Sequence, residues 1–211
     1  GKIDSFRVVA GLYAEAVQLI TMDPEIKSVA DLAGKSVSIG APGSGVYFNA
    51  VDVLAAAGMT ENDINAQYQS FADSTDALKD GKIDAAFIVA GAPTPAITEL
   101  CTTNEAYLVP IDGEIAEKIM ADCPFYTTYS IPAGTYPGQD ADVTTVTVKA
   151  TLIVSTSASE EDVYNITKAI FDNIDAISHA KKAELSIENA TSGMTAPFHK
   201  GAAKYFAEKG V

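Results

Sequence analysis

Hydrophobic and polar positions follow two different periods in the first half of the chain. Short apolar stretches typical of β-strands alternate with amphipathic stretches typical of helices. The predicted strands cover residues 36–40, 66–71 and 83–89, and the predicted helices cover residues 28–33, 46–57 and 74–80. Gly58 and Gly81 follow the two longer helices, as expected where helices end.

The alternation continues in the second half. The predicted helices there cover residues 96–101, 114–121 and 160–179, with shorter pieces around Ile187 and Lys204, and the predicted strands cover residues 107–111 and 144–155. Loops rich in proline and glycine separate these segments. Strands that alternate with helices at this spacing predict an α/β fold on a mostly parallel sheet, in which ligands bind at the carboxyl ends of strands.

The charge balance of the chain is strongly acidic. It has 28 acidic and 14 basic side chains, giving a formal net charge of -14 over 211 residues. Nucleic acids and anionic lipid surfaces would repel such a chain, so we expect neither as a partner. No apolar run approaches the roughly 20 residues that a membrane-spanning helix needs, so we expect no membrane insertion of this chain.

The residues that usually bind metals or act as nucleophiles form no recognisable motif. Cys101 and Cys123 are the only cysteines, and the sequence leaves open whether they form a disulfide or remain free thiols. His179 and His199 are too far from each other and from either cysteine for a metal-ligand spacing, and we expect them on the surface. We therefore expect no metal, no cofactor and no catalytic residues.

A glycine-containing loop, residues 40–45, joins a predicted strand to a predicted helix, which is where phosphate-binding motifs occur. A P-loop would need lysine where Val46 stands. A dinucleotide-binding fingerprint would need glycine at Phe48, and a nucleophile elbow around Ser44 would need glycine at Pro42. The sequence therefore excludes all three motifs.

The same loop can present backbone amides at a helix N-terminus. The amides of Ser44, Gly45 and Val46 would favour an anion, by roughly 0.3–1 kcal/mol at an exposed site. Arg7 is the only arginine, so a carboxylate would have to be held by lysine, hydroxyls or backbone amides. The alternative is structural, with Gly43 and Gly45 making a tight turn and Ser44 capping the helix, and the sequence leaves both open.

Three aromatic residues stand at predicted strand or loop edges, where a ring can close a core or wall a ligand pocket. They are Tyr13, Phe71 and Tyr136. For Phe71 we expect a core position. Tyr136 lies in a polar loop beside Pro137, so we expect it to line a pocket or a hinge.

The order of these segments resembles the TRAP-associated extracytoplasmic immunogenic (TAXI) family of transporter solute receptors. The stretches that carry the resemblance are residues 11–19, 26–34, 37–45, 81–93, 124–126, 131–138 and 205–211. Each stretch alone is weakly specific. Their co-linear order over almost the whole chain makes the resemblance specific.

The resemblance implies an α/β, two-lobed periplasmic-binding-protein-like (type II) fold with lobe one incomplete. Such a protein would clamp a small anionic ligand, such as glutamate or another amino acid or carboxylic acid, and deliver it to the membrane subunits of a TRAP transporter. It would work in the periplasm or on the outer face of the cell membrane. The implied ligand contacts are Tyr13, Gly43, Ser44, Gly45, Val46, Asp73, Ser74, Gly91, Ala92, Pro93, Thr135 and Tyr136.

The resemblance also divides the chain. Residues 1–20 would be a hinge and a remnant of lobe one, residues 21–148 a complete lobe two, and residues 149–211 a hinge strand and the C-terminal part of lobe one. Family members carry a further N-terminal segment of lobe one, so we expect a partial clamp. Two alternatives use the same architecture: an enzyme, which a titratable cleft residue with a perturbed pKa would favour, and a surface antigen without a ligand.

Overall fold

The computed structural model describes residues 4–211, which form alternating strands and helices. The strands are β1 (Phe6–Thr21), β2 (Ser36–Ser38), β3 (Asn65–Gln67), β4 (Ala85–Ala90), β5 (Tyr107–Val109), β6 (Thr127–Ile131) and β7 (Val143–Ser155). The α-helices are α1 (Gly45–Ala56), α2 (Phe71–Lys79), α3 (Pro95–Thr103), α4 (Gly113–Asp122), α5 (Glu160–Phe171), α6 (Ile187–Thr191) and α7 (Lys200–Glu208). The predicted α/β class is confirmed.

The chain divides into two compact units. Unit 1 comprises residues 1–14 and 149–211, and unit 2 comprises residues 15–148. The boundaries fall inside β1 and β7, which are the two longest strands described. The predicted domains at residues 1–20, 21–148 and 149–211 concern the lobes of a larger protein, and they stay a prediction.

The sheet of unit 2 is mixed rather than mostly parallel. Its strand order is β3-β2-β4-β1-β7-β6, and β5 also pairs with β1. Strand β2 pairs in parallel with β3 and with β4, whereas β1 runs antiparallel to β4 and β5, and β6 runs antiparallel to β7. The expected mostly parallel sheet is therefore wrong. Hydrophobic periodicity distinguishes a strand from a helix but contains no information on strand direction.

Several predicted elements also differ from the structure. The strand expected over residues 66–71 ends at Gln67, because Ser70 caps α2 by accepting a hydrogen bond from the Asp73 amide at 3.3 Å. The helix expected over residues 160–179 ends at Phe171. Strand β6 was not predicted, because most of its side chains are exposed and show no apolar alternation.

Both faces of the unit 2 sheet are covered by helices. Alternate residues of β1 enter two cores: Val17 and Leu19 join the core that α1 and α4 cover, while Ala16 and Ile20 join the core that α2 and α3 cover. The two cysteines follow the same division. Cys123 packs against the first core and Cys101 against the second, and both thiols are free.

Unit 1 is built around the packing of α5 against α7. A Cβ atom at Gly201 would lie 2.2 Å from the Glu160 carbonyl oxygen, so only glycine allows this close approach. Burial and a hydrogen bond to Asp172 raise the pKa of Tyr205 to about 12. The expectation of surface histidines is wrong for His199, which is buried and whose Nδ1 accepts a hydrogen bond from the Gly201 amide at 3.2 Å.

The connection from β2 to α1 depends on another glycine. Gly40 is buried with a φ of +83°, and a Cβ atom there would lie 2.7 Å from the Cβ of Val46. Gly43 in the same loop also has a positive φ, +73°, but no atom within 4 Å of its Cβ direction.

This pair predicts a difference in stability. Gly43→Ala should lower the free energy of unfolding by about 1–2 kcal/mol, the cost of the left-handed backbone alone. Gly40→Ala should cost a further ~1–3 kcal/mol, because it adds a methyl group to a packed site. Urea unfolding of the two variants measures the difference, and equal losses would contradict a packing role for Gly40.

Candidate functional site

The parallel strands of unit 2 bring three helix N-termini to one edge of the sheet. Because β2 is parallel to both β3 and β4, the carboxyl ends of these strands lie at the same edge. The following loops, residues 39–44, 68–70 and 91–94, lead directly into α1, α2 and α3. We call this region the carboxyl edge. It gathers positive helix-dipole ends and backbone amides that have no partner within their helices.

The start of α1 agrees only in part with the predicted free amides of Ser44, Gly45 and Val46. Ser44 caps the helix, since its Oγ accepts from the Tyr47 amide at 3.2 Å, and its own amide donates to the Ala41 carbonyl at 3.0 Å. The expected free amide of Ser44 is therefore wrong. Gly45 and Val46 lie in the first turn, where the helix provides no carbonyl for their amides.

The start of α2 is displaced from its predicted position. The helix begins at Phe71, so the amide and the hydroxyl of Ser74 both bond internally to the Ser70 carbonyl, at 2.9 and 2.7 Å. Ser74 Oγ also contacts Ser38 Oγ at 2.7 Å, and both residues are buried. Asp73 is exposed and its carboxylate accepts from Ser70 Oγ at 2.6 Å.

A buried hydrogen-bond cluster supports the loop before α3. The Tyr136 hydroxyl donates to Gln18 Oε1 and accepts from the Thr94 amide at 2.9 Å. Gln18 Nε2 donates to Thr94 Oγ1 at 2.9 Å and to the Ala90 carbonyl at 3.3 Å. All three side chains are at least 96% buried, and burial raises the pKa of Tyr136. The cluster fixes residues 91–94 to β1.

The ring of Tyr136 also walls a cavity of about 160 Å³, which Cys101, Leu108 and Gln139 help to line. None of the lining residues belongs to the loops of the carboxyl edge. Thr135 is half-buried, and its hydroxyl donates to the Pro132 carbonyl at 2.6 Å.

The remaining predicted contacts lie on the loop before α3 and in unit 1. Ala92 is buried, Pro93 is exposed and the peptide bond between them is cis. The Gly91 carbonyl accepts from Thr94 Oγ1 at 3.1 Å. Tyr13 is half-buried in the part of β1 that belongs to unit 1, whereas the carboxyl edge belongs to unit 2.

Two groups at the carboxyl edge were not among the predicted contacts. Gln69 Oε1 is buried without a hydrogen-bond partner among the described residues. Glu15 precedes Ala16, which pairs with Ala90 at the end of β4, and burial raises the pKa of Glu15. The sequence signal for Glu15 was a carboxylate inside a largely apolar strand.

The cations of unit 2 lie away from this edge. Lys35 and Lys82 precede the amino ends of β2 and β4, Lys79 ends α2, and Lys118 donates to the last carbonyls of α1. Lys27 follows Thr21, which pairs with Ala85 at the beginning of β4. An anion at the carboxyl edge would therefore meet amides and hydroxyls rather than cationic side chains of unit 2.

Within residues 4–211, no group of three or more His, Cys, Asp or Glu side chains is placed to hold a metal ion. No helix in that range is both long enough and apolar enough to cross a membrane.

The cluster around Tyr136 predicts a stability loss. Tyr136→Phe should lower the free energy of unfolding by about 1–3 kcal/mol, because Gln18 Oε1 and the Thr94 amide would stay buried without their partner. Tyr68→Phe is the matched control, since its hydroxyl is exposed and its loss should cost less than about 0.5 kcal/mol. Urea denaturation measures both, and a similar small loss in each would show that the cluster is not important for stability.

Comparison with solved structures returned transporter binding proteins. The chain aligns with the periplasmic aliphatic sulphonate binding protein SsuA from Escherichia coli at 26% identity, over 49% of this chain and 33% of that chain, with a TM-score of 0.41. A putative sulfonate-binding protein from Methylobacillus flagellatus aligns at 13% identity, over 95% and 51%, with a TM-score of 0.47. A putative L-cystine ABC transporter protein from Listeria monocytogenes aligns at 18% identity, over 87% and 65%, with a TM-score of 0.48.

The chain thus spans between about a third and two thirds of the length of these proteins. Comparison with family models gives a match over nearly the whole chain. The model of the NMT1-like family covers residues 1–210. The chain therefore belongs to the NMT1-like family.

Proposed function

We propose that this chain is the ligand-capturing part of an extracytoplasmic solute-binding protein, which binds a small organic anion and delivers it to the membrane subunits of a transporter. The observation that carries the proposal is the meeting of three helix N-termini at the carboxyl edge of unit 2. Each of these helices has at least nine residues. The site would hold its ligand without changing it chemically.

The free energies of the available contacts favour recognition of the anion by neutral hydrogen-bond donors. A helix N-terminus contributes about 0.3–1 kcal/mol to an exposed anion, so three supply roughly 1–3 kcal/mol. Micromolar affinity needs about 8 kcal/mol, so most of it must come from hydrogen bonds and from burial of the ligand. The first-turn amides of α1 and α2 can donate these hydrogen bonds. No lysine of unit 2 lies at this edge to bind the anion in their place.

One acceptor at this edge favours a ligand that also carries a donor. Gln69 Oε1 is buried without a partner, which costs about 1–3 kcal/mol when no ligand or water bonds to it. An ammonium or hydroxyl group could satisfy it. An amino acid or a hydroxy acid, with a carboxylate for the amides and a donor for Gln69, therefore suits the edge best.

The finer parts of the proposal come from the resemblance to the TAXI family. These are the TRAP type of the transporter, glutamate as a ligand, the periplasm or the outer face of the cell membrane as the location, and the assignment of residues 1–20 and 149–211 to an incomplete lobe one. The contacts at Tyr13, Gly91, Ala92, Pro93 and Thr135 belong to the same proposal.

Catalysis is the less favoured function. Glu15 has a raised pKa near the carboxyl edge, which is one mark of an acid–base residue. Burial alone explains this shift, and both histidines of the chain belong to unit 1. No described nucleophile lies in hydrogen-bond contact with Glu15 in this structure, so binding is the better proposal.

Thermal unfolding of the full-length protein with a panel of amino acids and dicarboxylates tests the function. At least one solute should raise the melting temperature, since a ligand that binds only the folded state stabilises it. The absence of a shift with every member would contradict the proposal.

A charge change tests the location of the site. Gly45→Asp fits sterically, because no atom lies within 4 Å of its Cβ direction, and it places a carboxylate at the start of α1. We expect the affinity for the active solute, measured by calorimetry, to fall at least tenfold through charge repulsion. Ala55→Asp is the matched control, because it adds the same charge to the exposed far end of α1 and should leave the affinity unchanged.

A further inference from the structure

The large exposed hydrophobic side chains of unit 2 all lie on α1 or beside it. Phe48 is 58% exposed, and Tyr68 and Phe125 are each 49% exposed. The ring of Tyr47 contacts those of Phe48 and Tyr68, and the ring of Tyr126 contacts that of Phe125. We call these five residues the α1 aromatic surface.

The first half of this surface is held by a carboxylate. The rings of Tyr47 and Phe48 meet edge to face at 5.3 Å, and those of Tyr47 and Tyr68 lie 6.3 Å apart. Each tyrosine hydroxyl donates to a different oxygen of Glu61, both at 2.9 Å. The hydrogen bonds to Glu61 raise the pKa of both tyrosines, so both hydroxyls stay protonated at neutral pH.

The second half is held against the same helix. The Tyr126 hydroxyl accepts from Asn49 Nδ2 and donates to Asp52 Oδ2 at 2.9 Å. Asp52 lies one turn after Phe48, on the same side of α1. The ring of Phe125 packs 4.9 Å from that of Tyr126 and remains half-exposed. The first half thus includes two residues of α1, and the second half contacts the same helix.

This arrangement extends beyond the core of unit 2. Tyr126 is buried in that core and Tyr47 packs against it, whereas Phe48, Tyr68 and Phe125 remain exposed. Helix α1 already buries Ala50, Val53 and Leu54 against the sheet. Fixed aromatic rings at the surface are typical of protein interfaces, where they contribute contact area at low entropic cost. The hydroxyl contacts to Glu61 and Asp52 fix the three tyrosine rings before any partner binds.

The charge around this surface indicates the chemistry of its partner. Acidic and basic residues balance in unit 1, so the whole formal charge of -14 belongs to unit 2. Glu61 and Asp52 accept hydrogen bonds from tyrosines of the α1 aromatic surface. A complementary partner would present an apolar pocket surrounded by lysine and arginine.

We propose that the α1 aromatic surface docks onto a protein with such a basic-rimmed apolar pocket. Resting on the proposed function, the occupant is the extracytoplasmic face of a membrane subunit of the transporter. Phe48 and Phe125 would enter the pocket, and Glu61 and Asp52 would face its basic rim.

Site-specific photocrosslinking in intact cells tests the docking surface. The photoreactive amino acid p-benzoylphenylalanine replaces Phe48 or Phe125 in the full-length protein, and mass spectrometry identifies each adduct. Ile153 and Ile166 of unit 1, which are 52% and 46% exposed, are the matched control positions. We expect one integral membrane protein to be crosslinked from Phe48 and Phe125, with at least fivefold lower yield from the controls.

Three results would overturn the docking proposal. They are the absence of an adduct from both positions, equal yields from the control positions, and an adduct with a soluble protein or with a second copy of this chain. The crosslinked yield should also fall severalfold when the salt concentration rises from 0.15 M to 0.5 M, because salt screens the charges at the rim. An unchanged yield would contradict the basic rim.

Solute binding by the same substituted proteins separates this proposal from the proposed function. A solute-dependent thermal shift without a membrane adduct overturns the docking surface alone. A membrane adduct without any thermal shift supports the docking surface and contradicts solute capture. The retained solute shift also shows that the substituted proteins fold.

Discussion

The parallel pairing of β2 with β3 and β4 determines where unit 2 leaves polar backbone groups without partners. Each parallel strand has to be followed by a crossover, and the crossover helices start at the same edge of the sheet. Helix geometry then leaves the first amides of α1 and α2 without carbonyl partners. The proposed binding site for a small anion would follow from this pairing more directly than from any single side chain.

The buried polar side chains of unit 2 support this edge. Tyr136, Gln18 and Thr94 hold the loop before α3, while Ser38 and Ser74 join β2 to α2. The lysines complement the helices at their other ends, where carbonyl groups and the negative dipole ends lie. The charge of unit 2 is therefore arranged so that neutral donors remain at the carboxyl edge.

The α1 aromatic surface and the carboxyl edge share one helix. The start of α1 provides amides for a ligand, and the same helix displays Phe48 to solvent. A rigid helix could thus position both a solute and a partner protein. Since Gly40 fixes the entry of the chain into α1, its packing against Val46 affects both surfaces.

Local sequence signals predicted most elements of the fold. The S-x-x-D spacing of Ser28 with Asp31 and the T-x-x-D spacing of Thr60 with Asp63 are local signals that form capping boxes in the structure, and α1 and α4 begin within one residue of their predicted positions. Strand direction could not be predicted, because pairing partners are chosen by tertiary contacts that periodicity does not record.

The candidate site was less predictable for a related reason. The hydroxyl of Tyr136 meets Gln18 across 118 positions of the chain, so no local pattern marks either residue as a partner of the other. A glutamine between Val17 and Leu19 was the available signal, because a polar residue in an apolar strand needs a buried partner. The sequence placed the start of α2 at Ser74, three residues too late. The Ser74 amide therefore bonds within the helix, whereas an amide in the first turn would be free.

The most direct test of this account is the mapping of a bound solute onto backbone amides by nuclear magnetic resonance. Titration of the isotope-labelled protein with the solute that raises its melting temperature should shift the amides of Gly45, Val46, Phe71 and Ala72 most strongly. These amides begin α1 and α2 at the carboxyl edge. Shifts that spare these four amides and concentrate elsewhere in the chain would contradict the claim that the parallel strands of unit 2 build the binding site.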